Sequence, residues 1–278
     1  MGPRWMAALQ AIERIAINVF DGTGKFHERS CAVLLFTERI NMKPIIRLFG
    51  FLVLGMLICA TCLVAQPAIK IKKTDIRRDV SMVTDSGTFI IRLSDATPVH
   101  RDNFIKLIKS RFYEGIAFHR VISGFMIQAG DEKSRINADS TTFLKDYTIP
   151  AEFKSTLFHK KGVIAAARWG DDINPQKNSS GVQFYIVQGR IHNDFTLDST
   201  ETYRLKGRKL PPAHREVYKQ SGGSPHLDQN YTIFGELVSG YDVLDKIAHT
   251  ATSGKAGGDK PLTAIRIIQT RMVKRKSP

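Results

Sequence analysis

A chain of 278 residues with 42% apolar and 24% charged side chains has the make-up of an ordinary globular protein able to bury a sizeable core. Its formal net charge of +15 is spread along the chain, with no basic block interleaved with aromatics, which sets nucleic acid aside as a partner and leaves a solubilising surface or an attraction to acidic clients. Cys31, Cys59 and Cys62 all precede residue 66, so the rest of the chain can carry neither a disulfide framework nor a thiolate metal site.

Residues 42–66, MKPIIRLFGFLVLGMLICATCLVAQ, begin with Lys43 and Arg47 and continue as an uncharged apolar run from Leu48 to Val64. Ala65 then offers a small residue for cleavage, which completes the order of a secretory signal. Three fates stay open for this segment. One is export with cleavage near Ala65. Another is membrane attachment through 48–64, since a span takes about 17–25 residues. The third is lipid attachment at Cys62, for which Cys59-Ala60-Thr61 is a poor lead. All three place the protein in the periplasm or cell envelope. Because signals sit at the extreme N-terminus, residues 1–41 are read as a non-native extension, with translation starting at Met42; a peptide from 1–41 in the native protein would refute this. The division is therefore 1–41 extension, 42–66 signal or anchor, and 67–278 functional domain.

Segment 68–85 is basic and mixes a linker with a first strand. A strand from Thr88 to Leu93 follows the Ser86-Gly87 turn. Thr97-Pro98 opens a helix, with a hydroxyl at the N-cap and proline at the first helical position. From Val99 to Phe112, Phe104, Ile105, Leu107, Ile108 and Phe112 share one face, and Gly115 ends the unit. Short β segments are expected at 117–122, 125–130, 163–168, 183–188, 231–238 and 264–270, with a second helix at 241–250. Many short strands and only two helices point to an all-β sandwich or a closed barrel. Residues 190–225 interrupt the series as a long, polar, basic insertion with a helical piece expected at 212–220, after Pro211. Structureless loops beyond about 12–15 residues are uncommon in compact domains and tend to be functional or flexible.

FHRVISGFMIQAGD (118–131) resembles the signature of the cyclophilins, peptidyl-prolyl cis/trans isomerases. KGVIAAAR (161–168), SGVQFYIVQG (180–189) and HLDQNYTIFGELVSGYDVLDKI (226–247) agree in order, and GDKPLTAIRI (258–267) fits the last turn and strand. The resemblance covers roughly 80–278. It implies a mainly β fold, a closed eight-stranded antiparallel barrel capped by two α-helices, carrying the 190–225 insertion.

An X–Pro bond is held cis at a cost of only about 0.5–1 kcal/mol, yet exchanges in tens to hundreds of seconds. The barrier arises because the amide nitrogen lone pair is delocalised into the carbonyl. Twisting removes that conjugation and makes the prolyl nitrogen a better hydrogen-bond acceptor, so a fixed donor aimed at it binds the transition state preferentially. Arginine suits the task, being always charged and planar. No metal or cofactor is required.

By resemblance, Arg120 is the catalytic donor, and Gln128 fixes the substrate backbone or the arginine. Phe125, Met126, Tyr185, Leu227 and Tyr231 line the proline pocket. Ala167 and Arg168 contact the preceding residues, and Gln183 is a neighbouring polar contact. The implied partners are proline-containing segments of unfolded or folding proteins, bound by a monomer. Against this stand plainer roles: a paired rim arginine for Arg120, a satisfied buried amide for Gln128, and core packing for Phe125, Met126 and Leu227. His119, one residue from Arg120 on a strand, points to the opposite face and is read as structural. His226-Leu227-Asp228 with His119 supplies neither metal-ligand spacing nor a nucleophile.

The chain departs from the family pattern in places. Tyr185 and Tyr231 stand for phenylalanine and histidine and keep aromatic walls. His226 replaces the tryptophan associated with tight cyclosporin binding, and Gln229 replaces a turn glycine. Ala129 and Val182 replace a glycine and a serine. The insertion is expected to form a basic shelf for clients from Arg204, Lys206, Arg208, Lys209 and Arg215. The rival reading is a module that binds proline segments without turnover.

Overall fold

The computed structural model describes residues 69–137 and 147–275. The extension 1–41 and the signal or anchor 42–66 lie outside the described residues. In chain order the strands are β1 (Arg78–Thr84), β2 (Gly87–Leu93), β3 (Arg120–Ile122), β4 (Met126–Ala129), β5 (Thr148–Ile149), β6 (Val163–Ala166), β7 (Ser179–Ser180), β8 (Phe184–Val187), β9 (Ile233–Ser239) and β10 (Ile267–Lys274). Eight of them form one sheet in the order β10-β1-β2-β9-β6-β8-β4-β3, and every pairing is antiparallel. The two-residue strands β5 and β7 pair separately and are too short for periodicity to reveal.

The sheet curls around a core of Phe89, Ile91, Val121, Ile127, Ile164, Phe184, Ile186 and Phe234. Helix Pro98–Lys109 adds Phe104, Ile105, Leu107 and Ile108 to it, and helix Tyr241–Ala248 adds Val243, Leu244 and Ile247. These are the two expected capping helices. The first stops at Lys109 rather than continuing to Phe112, with Arg111 in the left-handed region at φ 59°. Thr97 does not cap it. The Thr97 hydroxyl donates to the Ile233 carbonyl, and the Glu152 carboxylate instead accepts the N–H groups of Val99 and His100.

The curled sheet approaches the expected closed barrel without an unbroken ring of strand pairings. The ladder has two edges, β3 and β10, because the segment expected as strand 117–122 pairs regularly only from Arg120. Between those edges run an isolated Ala117–Arg266 bridge and single hydrogen bonds such as Phe118 N–H to the Ile265 carbonyl.

The insertion is folded rather than a loose connection. It contains the helix Asp194–Ser199, a π-helical turn Thr200–Arg204 and the helix Pro212–Gln220, so the described residues hold more than two helices. Leu197, Leu205, Leu210 and Tyr218 form its own small core, against which Phe158 packs. Its neck is a close backbone approach. A Cβ on Gly223 would collide with the His159 carbonyl and the Tyr218 ring, and one on Gly189 would collide with Gly223.

Candidate active site

Alternation along the strands decides which side chains meet. On β4, β6 and β8, Ile127, Ile164, Phe184 and Ile186 face the main core, while Met126, Val163, Ala165, Tyr185 and Val187 face the other side. There they join Ala167, Leu227 and Ile233, with Phe125 and Tyr231 half-buried at the edge. All six apolar residues expected at the site, Phe125, Met126, Ala167, Tyr185, Leu227 and Tyr231, thus form one cluster separate from the main core.

Arg120 and Gln128 are direct partners across the β3–β4 ladder. The Arg120 side chain is 43% exposed, and its ion pair with Asp259 is long, 3.6 Å from Nε to Oδ2. Gln128 Nε2 donates to Gln183 Oε1 at 3.1 Å, so the two expected amides act as a pair. Phe125 sits in the hairpin turn with Gly124 at φ 72°, and the turn is tied down by buried Gln188. The Gly124 N–H donates to Gln188 Oε1 at 2.7 Å, and the Phe125 carbonyl accepts the N–H groups of Gln188 and Gly189. Gln188 belongs to this site's framework, although nothing local in the sequence marks it out.

Arg168 is committed internally. Its side chain is 6% exposed, donates from Nε to the Asn230 carbonyl at 2.7 Å, pairs with Asp171, and lies 4.7 Å from the Tyr231 ring centroid. It braces one aromatic wall from behind. The rings of Tyr231 and Tyr185 meet edge to face, 5.8 Å apart. His226 lies against Phe125 at 5.4 Å, and burial, with Arg204 nearby, pushes its pKa down to about 4. Gln229 takes the left-handed turn itself, at φ 62°, and donates its amide to the Lys154 carbonyl.

A cavity of about 460 Å³ adjoins this cluster, lined by Gln128, Gln183, Ala167 and Arg168 among the expected residues, together with Tyr147 and Trp169. His119 joins neither the cluster nor the cavity; its Nδ1 is buried without a hydrogen-bond partner among the described residues, and burial lowers its pKa. The described residues contain no group of three or more His, Cys, Asp or Glu side chains placed to hold a metal ion.

A curled antiparallel sheet with an arginine and two amides beside an apolar cluster defines a mainly β class of protein with one polar-rimmed apolar site, and its likeness to known proteins specifies the family. The family model for cyclophilin type peptidyl-prolyl cis-trans isomerases matches residues 79–272. A protein of Staphylococcus saprophyticus named for peptidyl-prolyl cis-trans isomerase activity is 32% identical over 193 residues, 69% of this chain and 90% of its own length. A similarly named protein of Staphylococcus haemolyticus is 31% identical over 66% of this chain and 85% of its own. The crystal structure of a cyclophilin type peptidyl-prolyl cis-trans isomerase of Cryptosporidium parvum has a TM-score of 0.51 at 21% identity, covering 72% of this chain and 99% of that one, and so shares the fold. The chain belongs to the cyclophilin-type peptidyl-prolyl cis-trans isomerase family, and its activity is that isomerisation.

Proposed function

We propose that Arg120 accelerates X–Pro rotation by donating a hydrogen bond to the prolyl nitrogen as it pyramidalises, with the proline ring seated on Phe125, Met126, Tyr185, Leu227 and Tyr231. Gln128, steadied by Gln183, holds the substrate backbone, and Ala167 and Arg168 bound the side from which the preceding residues enter. The observation that carries this reading is the placement of Arg120. Its guanidinium is half-exposed on the pocket face, opposite Gln128, and its ion pair with Asp259 is long, so a donor is free to turn toward a guest. A fixed charged donor lowers the barrier because it interacts more strongly with the twisted bond than with the planar one. The purified protein should accelerate exchange of an Ala–Pro peptide, and Arg120→Ala should cut kcat/KM by about 10²–10³-fold, the usual loss for a preorganised donor. Acceleration that survived the substitution would sink the mechanism; peptide binding without any acceleration in wild type would leave a binding module.

The physiological reading is assistance to folding in the envelope of a bacterium, on exported clients, by a monomer. The signal-like segment 42–66 supports it. Fractionation of cells producing the tagged protein tests it: recovery in the cytosol would count against export.

A further inference from the structure

The insertion reaches the proline pocket through a buried hydrogen-bonded chain. Tyr218, in the insertion helix Pro212–Gln220, is wholly buried, and its hydroxyl lies 3.0 and 2.9 Å from the two Asp228 carboxylate oxygens. Asp228 Oδ1 is also 2.8 Å from the His159 backbone nitrogen and 2.9 Å from His159 Nδ1. His159 Nε2 lies 3.0 Å from the Tyr185 hydroxyl, and the two rings stack at 12°. Tyr185 is one aromatic wall of the pocket.

Chemistry fixes the direction of each bond. A carboxylate only accepts, so Nδ1 carries a proton, and in the neutral imidazole Nε2 accepts from the Tyr185 O–H. Burial pushes both tyrosine hydroxyls well up, so they remain donors. A second tie runs along the backbone: Arg208 Nη2 donates to the Asp228 carbonyl at 2.6 Å. The next residues lead through Gln229 and Asn230 to Tyr231, the other aromatic wall. Of the five cations expected to form a shelf, Arg204, Lys206, Arg208 and Lys209 are exposed, and Arg215 is drawn into ion pairs within the insertion. Arg215 pairs with Asp194, Asp198 and Glu201, and Lys209 with Glu201.

We propose that the 190–225 insertion is a brace for the proline pocket, in which Tyr218 and Arg208 hold Asp228, and Asp228 acts through His159 to fix the orientation of Tyr185. Tyr218, Asp228 and His159 are positioning residues, and none touches the reacting bond. The proposal rests on the assignment of Tyr185 to the proline pocket. Because the wall contacts the proline ring in both planar and twisted states, loosening it weakens binding uniformly, raising KM with little change in kcat.

The experiment is NMR exchange spectroscopy on an Ala–Pro peptide titrated with the purified protein, which reads affinity and exchange rate together. Tyr218→Phe keeps the ring and removes one hydroxyl; acting on the pocket only through the intervening groups, it should raise KM about three- to tenfold, the worth of one ordinary net hydrogen bond. In a Tyr185→Phe background, where the last link is already gone, the same substitution should change KM by less than about twofold. Arg208→Ala, at an exposed position that cannot disturb the insertion core, should raise KM in the same sense. Equal losses from Tyr218→Phe in both backgrounds, or unchanged KM for Tyr218→Phe and Arg208→Ala, would overturn the brace. A wild type that bound the peptide without speeding exchange would sink the Arg120 mechanism alone, since Tyr218-dependent affinity would still report the brace.

Discussion

Strand β8 sends Phe184 and Ile186 to one face of the sheet and Tyr185 and Val187 to the other, and the two faces meet different fates. The inner face is sealed by helices Pro98–Lys109 and Tyr241–Ala248. Phe184 there contacts Phe104 and Tyr113 edge to face at 5.6 and 5.2 Å. The outer face is covered in part by the loops that carry Leu157 and Leu227, and its rim, at Phe125 and Tyr231, stays half-open. Both faces are apolar; they differ in what completes them. A face closed by its own chain yields stability, whereas one left short of partners has free energy to offer a guest.

The sharpest test of that contrast exchanges Phe184 for alanine. Truncating a fully buried aromatic should cost about 3–5 kcal/mol, read as a large fall in the denaturation midpoint, with activity of the remaining folded fraction little changed. A cost below about 1 kcal/mol would mean the inner face is not where stability resides. Arg120→Lys sharpens the other side. It keeps the charge but loses the planar fork, so activity should drop about tenfold to a hundredfold, while stability moves by less than about 0.5 kcal/mol for so exposed a side chain.

Within the insertion the decisive group is Glu201. Burial pushes its carboxyl up, but hydrogen bonds from Lys209, the Leu210 N–H and Arg215 outweigh this and hold it below the ordinary glutamate range. A carboxylate with a depressed folded pKa contributes stability that is complete above its unfolded value and lost as pH falls through the folded one. Glu201→Gln should therefore destabilise at neutral pH by about 1–3 kcal/mol and flatten the acid limb. Hydrogen exchange should locate the loss in 194–220 while the inner face keeps its protection. Uniform loss over the whole domain would show that the insertion is not a separable cover.

What was legible in the chain follows from the range of the forces involved. Strand alternation is local, so the sequence alone sets His119 and Arg120 on opposite faces, whereas Gln128, across the hairpin turn, came from the family resemblance and meets Arg120 through the β3–β4 register. The capping helices and the helix at 212–220 announce themselves through apolar periodicity and proline. The grouping of Tyr185 and Leu227 with Met126 came from the family resemblance, since no local pattern joins strands that far apart. His159 and Asp228 carried no signal, because their bond spans 69 positions. Arg215 was counted with the exposed cations of the insertion for the same reason: a list of charges does not reveal that Asp194, Asp198 and Glu201 close around it.

The smallest expected effect sits where the insertion meets the open rim, at His226. Its ring packs on Phe125, and its pKa of about 4 means that it stays neutral through most of the acid range. Burial is the main cause, and Arg204 is the next. A base whose folded pKa is depressed takes up its proton more readily when unfolded, so its share of stability is complete above about pH 6.5 and declines as pH falls toward 4, by at most about 1.4 kcal/mol per pH unit. His100, His119, His192 and His214 are also lowered by burial, so the global acid limb sums several such shares. The His226 share is isolated by comparing stability against pH in wild type and His226→Phe, whose limb should be shallower between about pH 6.5 and 4. Arg204→Ala removes only the secondary cause. It should move the His226 titration, followed by its own ring resonances, upward by less than about one unit, as befits a charge partly screened by solvent. A movement of about two units or more would make the insertion's charge, rather than the packing against Phe125, the force that keeps the His226 ring neutral.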